Sequence, residues 1–165
     1  MTPRLETIAE KKLVGLRLRL SLANNRTGEL WRSFVPRQAE ISHRLDALRY
    51  SLQTYAPGYF AAFRAEAEFE KWAAVEVADF GAVPAGMETL RLPAGLYAVF
   101  LYRGDPRAGA EAFQYIFNTW LPTSGYVLDD RPHFELLGDN YRNNDPSSEE
   151  EIWIPVKLQL ADIGG

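Results

Sequence analysis

The chain has 165 residues, of which 47% are hydrophobic and 24% are charged, as in an ordinary globular protein. It contains no cysteine and only two histidines, which excludes disulfides and thiolate chemistry and disfavours a transition-metal site. Residues 1–12 lack the apolar core of a signal peptide, and the longest apolar run, 96–102, is too short to span a bilayer. We therefore expect a cytoplasmic protein with no membrane association, no metal and no cofactor.

The net charge of -4 conceals an uneven distribution. Residues 1–50 carry ten Lys/Arg and five Asp/Glu, whereas residues 128–151 carry eight acids and two arginines. The acidic segment contains Glu135 and favours a cationic ligand over an anionic one, although a solvated acidic loop is the alternative interpretation. Because the whole chain is acidic and its basic half is dilute, we expect no direct binding to nucleic acid.

The first half contains the pattern of a strand, a helix and two further strands. Apolar residues alternate with polar ones through residues 14–22, which predicts a half-buried strand. An apolar helix face follows at residues 30–35 and is interrupted by Pro36. Two more strands are predicted at residues 49–55 and 69–80.

The second half contains the same kinds of element. Its clearest feature is an amphipathic helix with apolar residues at i, i+3, i+4, i+7 and i+8 from Phe113, ended by Pro122. The final strand alternates without error from Ile152, and Pro155 inside it predicts an edge strand or a bulge. Strands are predicted at residues 88–92, 96–103, 133–137 and 152–160.

The two halves resemble copies of one unit. Four segments of the first half match segments of the second at offsets of 83, 86, 82 and 81 residues: 13–20 with 96–103, 34–36 with 120–122, 49–53 with 131–135, and 70–72 with 151–153. Each half then has the order β-α-β-β, and two such units bury their faces by packing about a pseudo-twofold axis. We expect one α+β domain over residues 1–165, with an antiparallel sheet, a central ligand groove and pseudo-repeats of about 5–82 and 86–162.

Glu135 is the leading candidate for a functional residue. It aligns with Gln53 in the first half, so one half has a carboxylate where the other has an amide. Strand alternation places Glu135 on one face with His133, which we interpret as a residue of the sheet surface and not as a catalytic base. An exposed carboxylate paired with an arginine is the alternative.

Two tryptophans are candidates for the walls of a groove. Trp153 is out of phase with Ile152 and Ile154, so it points to the opposite side of its strand, and Trp72 is its repeat mate. No aliphatic stripe accompanies either ring, which favours a groove wall, whereas burial in a core is the alternative.

Several of these segments together resemble the GyrI-like small-molecule-binding family. They are residues 95–100, 120–126, 130–135 and 151–156. This is the effector-binding domain also found in AraC-type and multidrug-sensing MerR-type transcription regulators. The resemblance implies two β-α-β-β units, a central groove and Glu135 as the key ligand-binding residue, with Trp120 and Tyr126 as further candidates. It also implies hydrophobic, often cationic, aromatic ligands.

The resemblance leaves three functions open. The first is a stand-alone effector sensor or sequestering protein, since residues 1–12 leave no room for a helix-turn-helix before the first predicted strand; a separate regulator protein is then a candidate partner. The second is a hydrolase of cyclopropane-containing genotoxic natural products, in which Glu135 positions water. The third is a protein-interaction module, which requires a large flat apolar patch instead of a groove.

Overall fold

The computed structural model of this chain describes residues 1–103, 106–138 and 149–160, with the side chains of residues 106 and 107 excepted. Within these residues the strands are β1 (Arg4–Ile8), β2 (Lys11–Ser21), β3 (Arg49–Thr54), β4 (Glu68–Val77), β5 (Glu88–Leu92), β6 (Gly95–Arg103), β7 (Tyr126–Leu128), β8 (His133–Leu137) and β9 (Glu149–Leu158). The helical segments are α1 (Thr27–Phe34), a 3-10 helix (Val35–Glu40), α2 (Pro106–Tyr115), a π-helical turn (Ile116–Trp120) and a short turn of α-helix (Leu121–Thr123). The expected α+β class is confirmed.

All strand pairs are antiparallel, and the strand order is symmetric with respect to the two halves. The order is β1-β6-β9-β8-β3-β4-β2-β5, with β7 paired to β9. Exchanging the halves exchanges β1 with β5, β6 with β2, β9 with β4 and β8 with β3. Apart from β7 in the second half, each half therefore has the order β-β-α-β-β and not the predicted β-α-β-β. The sequence pattern missed β1. The first strand of each half pairs with the other half, β1 with β6 and β5 with β2.

These connections force the sheet to curve. In a flat sheet, β1 and β2 lie six strand spacings apart, which is roughly 29 Å. Ile8 ends β1 and Lys11 begins β2, so the Cα atoms of these two residues are at most about 11 Å apart. Two residues also join β5 to β6, which have the same separation in the strand order. The two edges therefore come together, and the sheet encloses one of its faces.

The enclosed face, here called the inner face, holds one core without a helix. Its cluster draws on strands of both halves and consists of Leu13, Tyr50, Leu52, Trp72, Ala74, Leu92, Tyr97, Val99, Phe134 and Trp153. The opposite face, here called the helix face, carries α1 over β2 and β4, and α2 over β6 and β9. The central strands β3 and β8 lie between the two helices, and we call the part of the helix face between α1 and α2 the groove.

The strand register fixes which residues of the two halves are equivalent. Trp72 lies opposite Leu52, and Trp153 lies opposite Phe134, which gives an offset of 82 residues for β3 and β8 when the tryptophans are matched. The predicted equivalence of Gln53 and Glu135 has this offset. The corresponding offset of β2 and β6 is 82 residues and not the predicted 83. The predicted offset was therefore wrong by one residue. An alignment of β2 with β6 at the predicted offset would match residues that point to opposite faces of the sheet.

Pro155 does not mark an edge strand. Strand β9 lies inside the sheet, with β6 on one side and β8 and β7 on the other. Its pairing with β8 ends at Trp153, and its pairing with β7 begins at Val156. Pro155 lies between these two pairings. At this point the lack of an N–H group in proline costs the fewest hydrogen bonds between strands.

Candidate functional site

A line of polar side chains crosses the helix face between the two helices. It begins with Tyr102 on β6, which lies opposite Glu150 on β9, and continues through β8 and β3 to Lys71 on β4. We call its members the polar strip: Ser51, Gln53, Lys71, Tyr102, His133, Glu135 and Glu150. Five strands of both halves contribute, so the strip exists only in the assembled sheet.

Glu135 lies near the middle of this strip. It is opposite Ser51 on one side and Ile152 on the other, which places it on the helix face as alternation predicted. Its side chain is half-buried, whereas most of the strip is buried. Glu135 is therefore a carboxylate that a molecule in the groove can reach.

The two tryptophans expected to line a groove with Glu135 lie on the other side of the sheet. Trp72 is 4% exposed and Trp153 is 6% exposed, and both belong to the inner-face core. Trp153 stacks on Phe134 with a centroid distance of 5.1 Å. Alternation was interpreted correctly, but the sequence did not reveal that sheet curvature would close the tryptophan side and leave the glutamate side as the groove.

Trp120 and Tyr126 come together at the end of α2. Their rings stack with a centroid distance of 6.2 Å, and Trp120 also packs edge-on against Phe100 of β6. Both belong to the apolar cluster between α2 and its strands. Both residues thus pack in the cluster that supports α2, and both remain partly exposed.

Sequence reasoning missed Lys71 and Glu150. Lys71 shares its strand face with Ala73 and Val75, and Glu150 shares its face with Ile152 and Ile154. The sequence could have indicated both residues, because each is the one charged residue on a strand face that is otherwise apolar. A charge in such a position is buried and needs a partner.

Gln53 connects Lys71 to the centre of the strip. With its amide oriented to satisfy both neighbours, its nitrogen donates to the His133 carbonyl oxygen at 3.1 Å and its oxygen accepts from the Lys71 ammonium. Burial lowers the pKa of Lys71, while the charges of Glu135 and Glu150 act in the opposite direction. Lys71 thus lies buried beside two glutamates whose charges favour its ammonium form.

Glu150 is a carboxyl group held in its protonated form. Burial is the largest cause that raises its pKa to about 9, and a hydrogen bond to Glu135 and the charge of Glu135 raise it further. The Tyr102 hydroxyl donates a hydrogen bond to Glu150 and, with Lys71, opposes this shift. Glu150 therefore favours its protonated form, because it is buried beside a second carboxyl group.

Aromatic rings cover one end of the strip. The segment between β3 and β4 places Phe60 against His133 and Phe117, with centroid distances of 5.2 and 5.4 Å and nearly parallel planes. Tyr55 packs edge-on against His133 and is close enough to Glu135 for that charge to contribute to its raised pKa, of which burial is the largest cause. His133 is accordingly buried, and not a surface residue as expected.

His133 is neutral in this position. Burial, with a smaller contribution from Arg131, lowers its pKa to about 3. A neutral ring offers a flat surface to Phe60 without adding positive charge to the groove. Phe60, His133 and Phe117 therefore form an uncharged aromatic surface at this end of the strip.

A cavity of about 410 Å³ adjoins this aromatic end. Residues 54–61 line one side and residues 128–133 line the other. Tyr55 and His133 both form part of the wall of this cavity, and their rings pack edge-on. Phe60 also borders the cavity and is 37% exposed, so it is the most accessible ring of this wall.

Comparison with known proteins identifies the family of this fold and groove. The family described as "GyrI-like small molecule binding domain" matches residues 1–157. The chain belongs to this family. The resemblance inferred from its sequence motifs is thereby confirmed, and the groove with Glu135 is part of a GyrI-like domain.

Two curated relatives and one solved structure illustrate the similarity. The chain is 31% identical over 146 residues to the transcriptional regulator BrlR of Pseudomonas aeruginosa, covering 87% of this chain and 51% of BrlR. It is 38% identical over 80 residues to a DNA gyrase inhibitor of Erwinia billingiae, covering 45% of this chain and 49% of that protein. The chain thus spans about half the length of the curated relatives it matches.

The solved structure is that of SAV2435 bound to tetraphenylphosphonium. It superposes with a TM-score of 0.73 at 19% identity, covering 95% of this chain and 94% of SAV2435. At this level of identity the likeness establishes the GyrI-like fold.

In residues 1–103, 106–138 and 149–160, no helix is both long and apolar enough to cross a membrane. The same part of the chain contains no group of three or more His, Asp or Glu residues arranged to hold a metal ion.

Proposed function

We propose that this GyrI-like domain binds lipophilic aromatic monocations in the groove between α1 and α2, with the Glu135 carboxylate as their counter-charge. The observation that carries the proposal is the position of Glu135, half-buried on the floor of the groove beside the ring stack of Phe60, His133 and Phe117. A delocalised aromatic cation gains from both features, because rings attract its surface and the carboxylate attracts its charge.

The charge pair is expected to be the larger of these two contributions. Attraction of a cation to one ring contributes roughly 0.5–2 kcal/mol. Removing one partner of a desolvated charge pair costs about 2–5 kcal/mol. Glu135 is half-buried, so we expect the lower part of this range. Charge therefore selects the ligand, and the rings add affinity for its shape.

The relatives support a role in sensing or sequestration. One curated relative is a transcriptional regulator and the other is a gyrase inhibitor, while SAV2435 is a structural neighbour bound to the cation tetraphenylphosphonium. We propose that this chain acts as an effector sensor or as a sequestering protein for such compounds. Aromatic support from Phe60 and Phe117 replaces the walls that Trp72 and Trp153 were expected to form.

The decisive test compares a cation with a neutral compound of related shape. Wild type and Glu135→Gln are titrated with tetraphenylphosphonium and with triphenylphosphine oxide, using calorimetry or competition with a fluorescent cation. We expect Glu135→Gln to weaken tetraphenylphosphonium at least about tenfold, or 1.4 kcal/mol, and to change triphenylphosphine oxide much less.

Glu68→Gln is the matched control, because Glu68 is an exposed strand residue paired with Arg19. It should bind both compounds as wild type does, and thermal melting should show that all three proteins are folded. Equal losses for both compounds in Glu135→Gln would mean that the carboxylate supports structure without selecting charge. Wild type that binds neither compound would contradict the proposed function.

A further inference from the structure

The buried part of the polar strip contains a charge arrangement that the binding of a cation must disturb. Glu150 is 6% exposed and lies two positions along the ladder from Glu135 on the same strand face, a diagonal distance that two glutamate side chains can span. Lys71 is also 6% exposed, and its charge opposes the raised pKa of Glu150. Two carboxyl groups and one lysine therefore lie close together in a region with little water.

The groups that face Glu150 come from each neighbouring element. Tyr102 of β6 donates a hydrogen bond to it, Glu135 of β8 is its hydrogen-bonded partner, and Lys71 of β4 acts on it by charge. From α2, Gly109 lies against the Tyr102 hydroxyl, since a Cβ added to this glycine would be 2.9 Å from that oxygen. Glu150 is thus less accessible to bulk water than Glu135.

Resting on the proposed function, we infer that Glu150 is a second, specificity-determining carboxyl group of the site, which exchanges its proton for the bound cation. In the free protein Glu150 holds a proton, because it is buried beside a second carboxyl group. When a monocation lies beside Glu135, Glu150 releases its proton to solvent. The negative charge that Glu150 gains then offsets the charge of the ligand, so the net charge of the site does not change.

The physical reason is the cost of net charge in a region of low polarity. A cation added without release of a proton would leave one uncompensated positive charge near buried groups. The ligand charge acts on Glu150 through the short distance between the two glutamates and lowers the pKa that burial and Glu135 had raised to about 9. A neutral ligand produces no such effect, so proton release distinguishes cations from neutral compounds.

Thermodynamic linkage turns this exchange into a pH dependence of affinity. If one proton leaves per cation bound, the association constant rises up to tenfold per pH unit below the pKa of Glu150 in the free protein. Tetraphenylphosphonium is a suitable probe because its charge is permanent and does not itself titrate. We expect its affinity to increase more than threefold from pH 6 to pH 8, whereas triphenylphosphine oxide should show no comparable increase.

The experiment compares wild type with Glu150→Gln, which imitates the protonated carboxyl group. The variant should bind tetraphenylphosphonium like wild type at pH 6, more weakly than wild type at pH 8, and without pH dependence. Calorimetry at pH 7.5 in phosphate and in Tris counts the protons released, which should be close to one for wild type and zero for Glu150→Gln. Tyr102→Phe, a milder change, should retain the release with a shifted pH profile.

Glu149→Gln is the matched control, because Glu149 is exposed on the other face of β9 and pairs with Arg103. It should retain the wild-type pH dependence. In the free protein, carbon-13 NMR of the glutamate carboxyl groups should reveal one group that titrates above pH 7.5 and is absent from Glu150→Gln.

The outcomes separate the two proposals. Binding that changes less than threefold between pH 6 and pH 8, or a pH dependence that persists in Glu150→Gln, would overturn the exchange and leave the proposed function standing. Failure of wild type to bind tetraphenylphosphonium at any pH would overturn the proposed function and the exchange together. Absence of a high-pH carboxyl titration in the free protein would also overturn the exchange.

Discussion

The two halves of the molecule are alike on the inner face and different on the helix face. Trp72 and Trp153 occupy equivalent positions and are both buried in one core. On the helix face, each polar pair of one half has a more apolar counterpart in the other. Gln53–Lys71 corresponds to Glu135–Ile152, and Leu20–Phe69 corresponds to Tyr102–Glu150.

A duplicated fold can hold buried charge at the place where its two halves meet. The pseudo-twofold axis places β3 beside β8, so changes made independently in the two halves meet at the centre of the sheet. A buried carboxyl group in one half is tolerated because a lysine of the other half lies near it. Identical halves would instead have put two like charges together, which destabilises the fold.

The largest expected effect tests the likeness of the inner faces. Trp72→Ala and Trp153→Ala should each lower the free energy of unfolding by about 3–5 kcal/mol, because each leaves a cavity in the common core. Urea denaturation at neutral pH measures both. The milder Trp72→Phe and Trp153→Phe variants should preserve the discrimination between tetraphenylphosphonium and triphenylphosphine oxide. Loss of that discrimination in either variant would place its tryptophan in the ligand site after all.

The second largest effect is expected from a substitution that makes the first half resemble the second half. Lys71→Ile copies the residue at the equivalent position of the second half, Ile152, and leaves Glu135 without its buried counter-charge. We expect a loss of about 3 kcal/mol, at the low end for buried pairs because Glu135 is half-hydrated. In the Glu135→Gln background the same substitution should cost at least about 1 kcal/mol less.

A double-mutant cycle by urea denaturation measures this coupling between Lys71 and Glu135. Lys157→Ile serves as the control, since Lys157 is exposed on β9 and its replacement should change stability by less than about 0.5 kcal/mol. Strict additivity of the Lys71 and Glu135 substitutions would show that the two charges do not interact.

The smallest expected effect concerns His133, whose equivalent in the first half is Ser51. Its pKa is about 3 in the folded protein, so the unfolded chain binds a proton that the folded protein does not bind between about pH 6.5 and pH 3. The stability contributed by the neutral ring is complete above pH 6.5 and is lost as the pH falls. At pH 5 this loss is about 2 kcal/mol relative to pH 7.5.

His133→Phe retains a ring for Phe60 but removes the titration. The stability difference between wild type and His133→Phe should therefore shift by about 2 kcal/mol in favour of the variant between pH 7.5 and pH 5. His43→Gln, at an exposed position, should follow wild type. A constant difference between wild type and His133→Phe at the two pH values would show that His133 is protonated in the folded protein.

Local patterns in the sequence determined most elements and their orientation. Alternation identified strands such as β8 and placed Glu135 and Phe134 on opposite faces, because successive side chains of a strand always point to opposite sides. The helix ending near Pro122 followed from its 3.6-residue period. Four matched segments at nearly constant offsets predicted the duplication, and the match of residues 49–53 with 131–135 predicted the equivalence of Gln53 and Glu135.

Only the tertiary structure decided which face became the groove. Strand β1 pairs with the second half and β5 pairs with the first half, and these pairings curve the sheet. The curvature encloses the side that carries Trp72 and Trp153. Strand pairing across five strands then brought Lys71 and Glu150 to Glu135. Alternation assigns each side chain to a face within its own strand, but burial and charge pairing depend on distant strands that a local pattern does not specify.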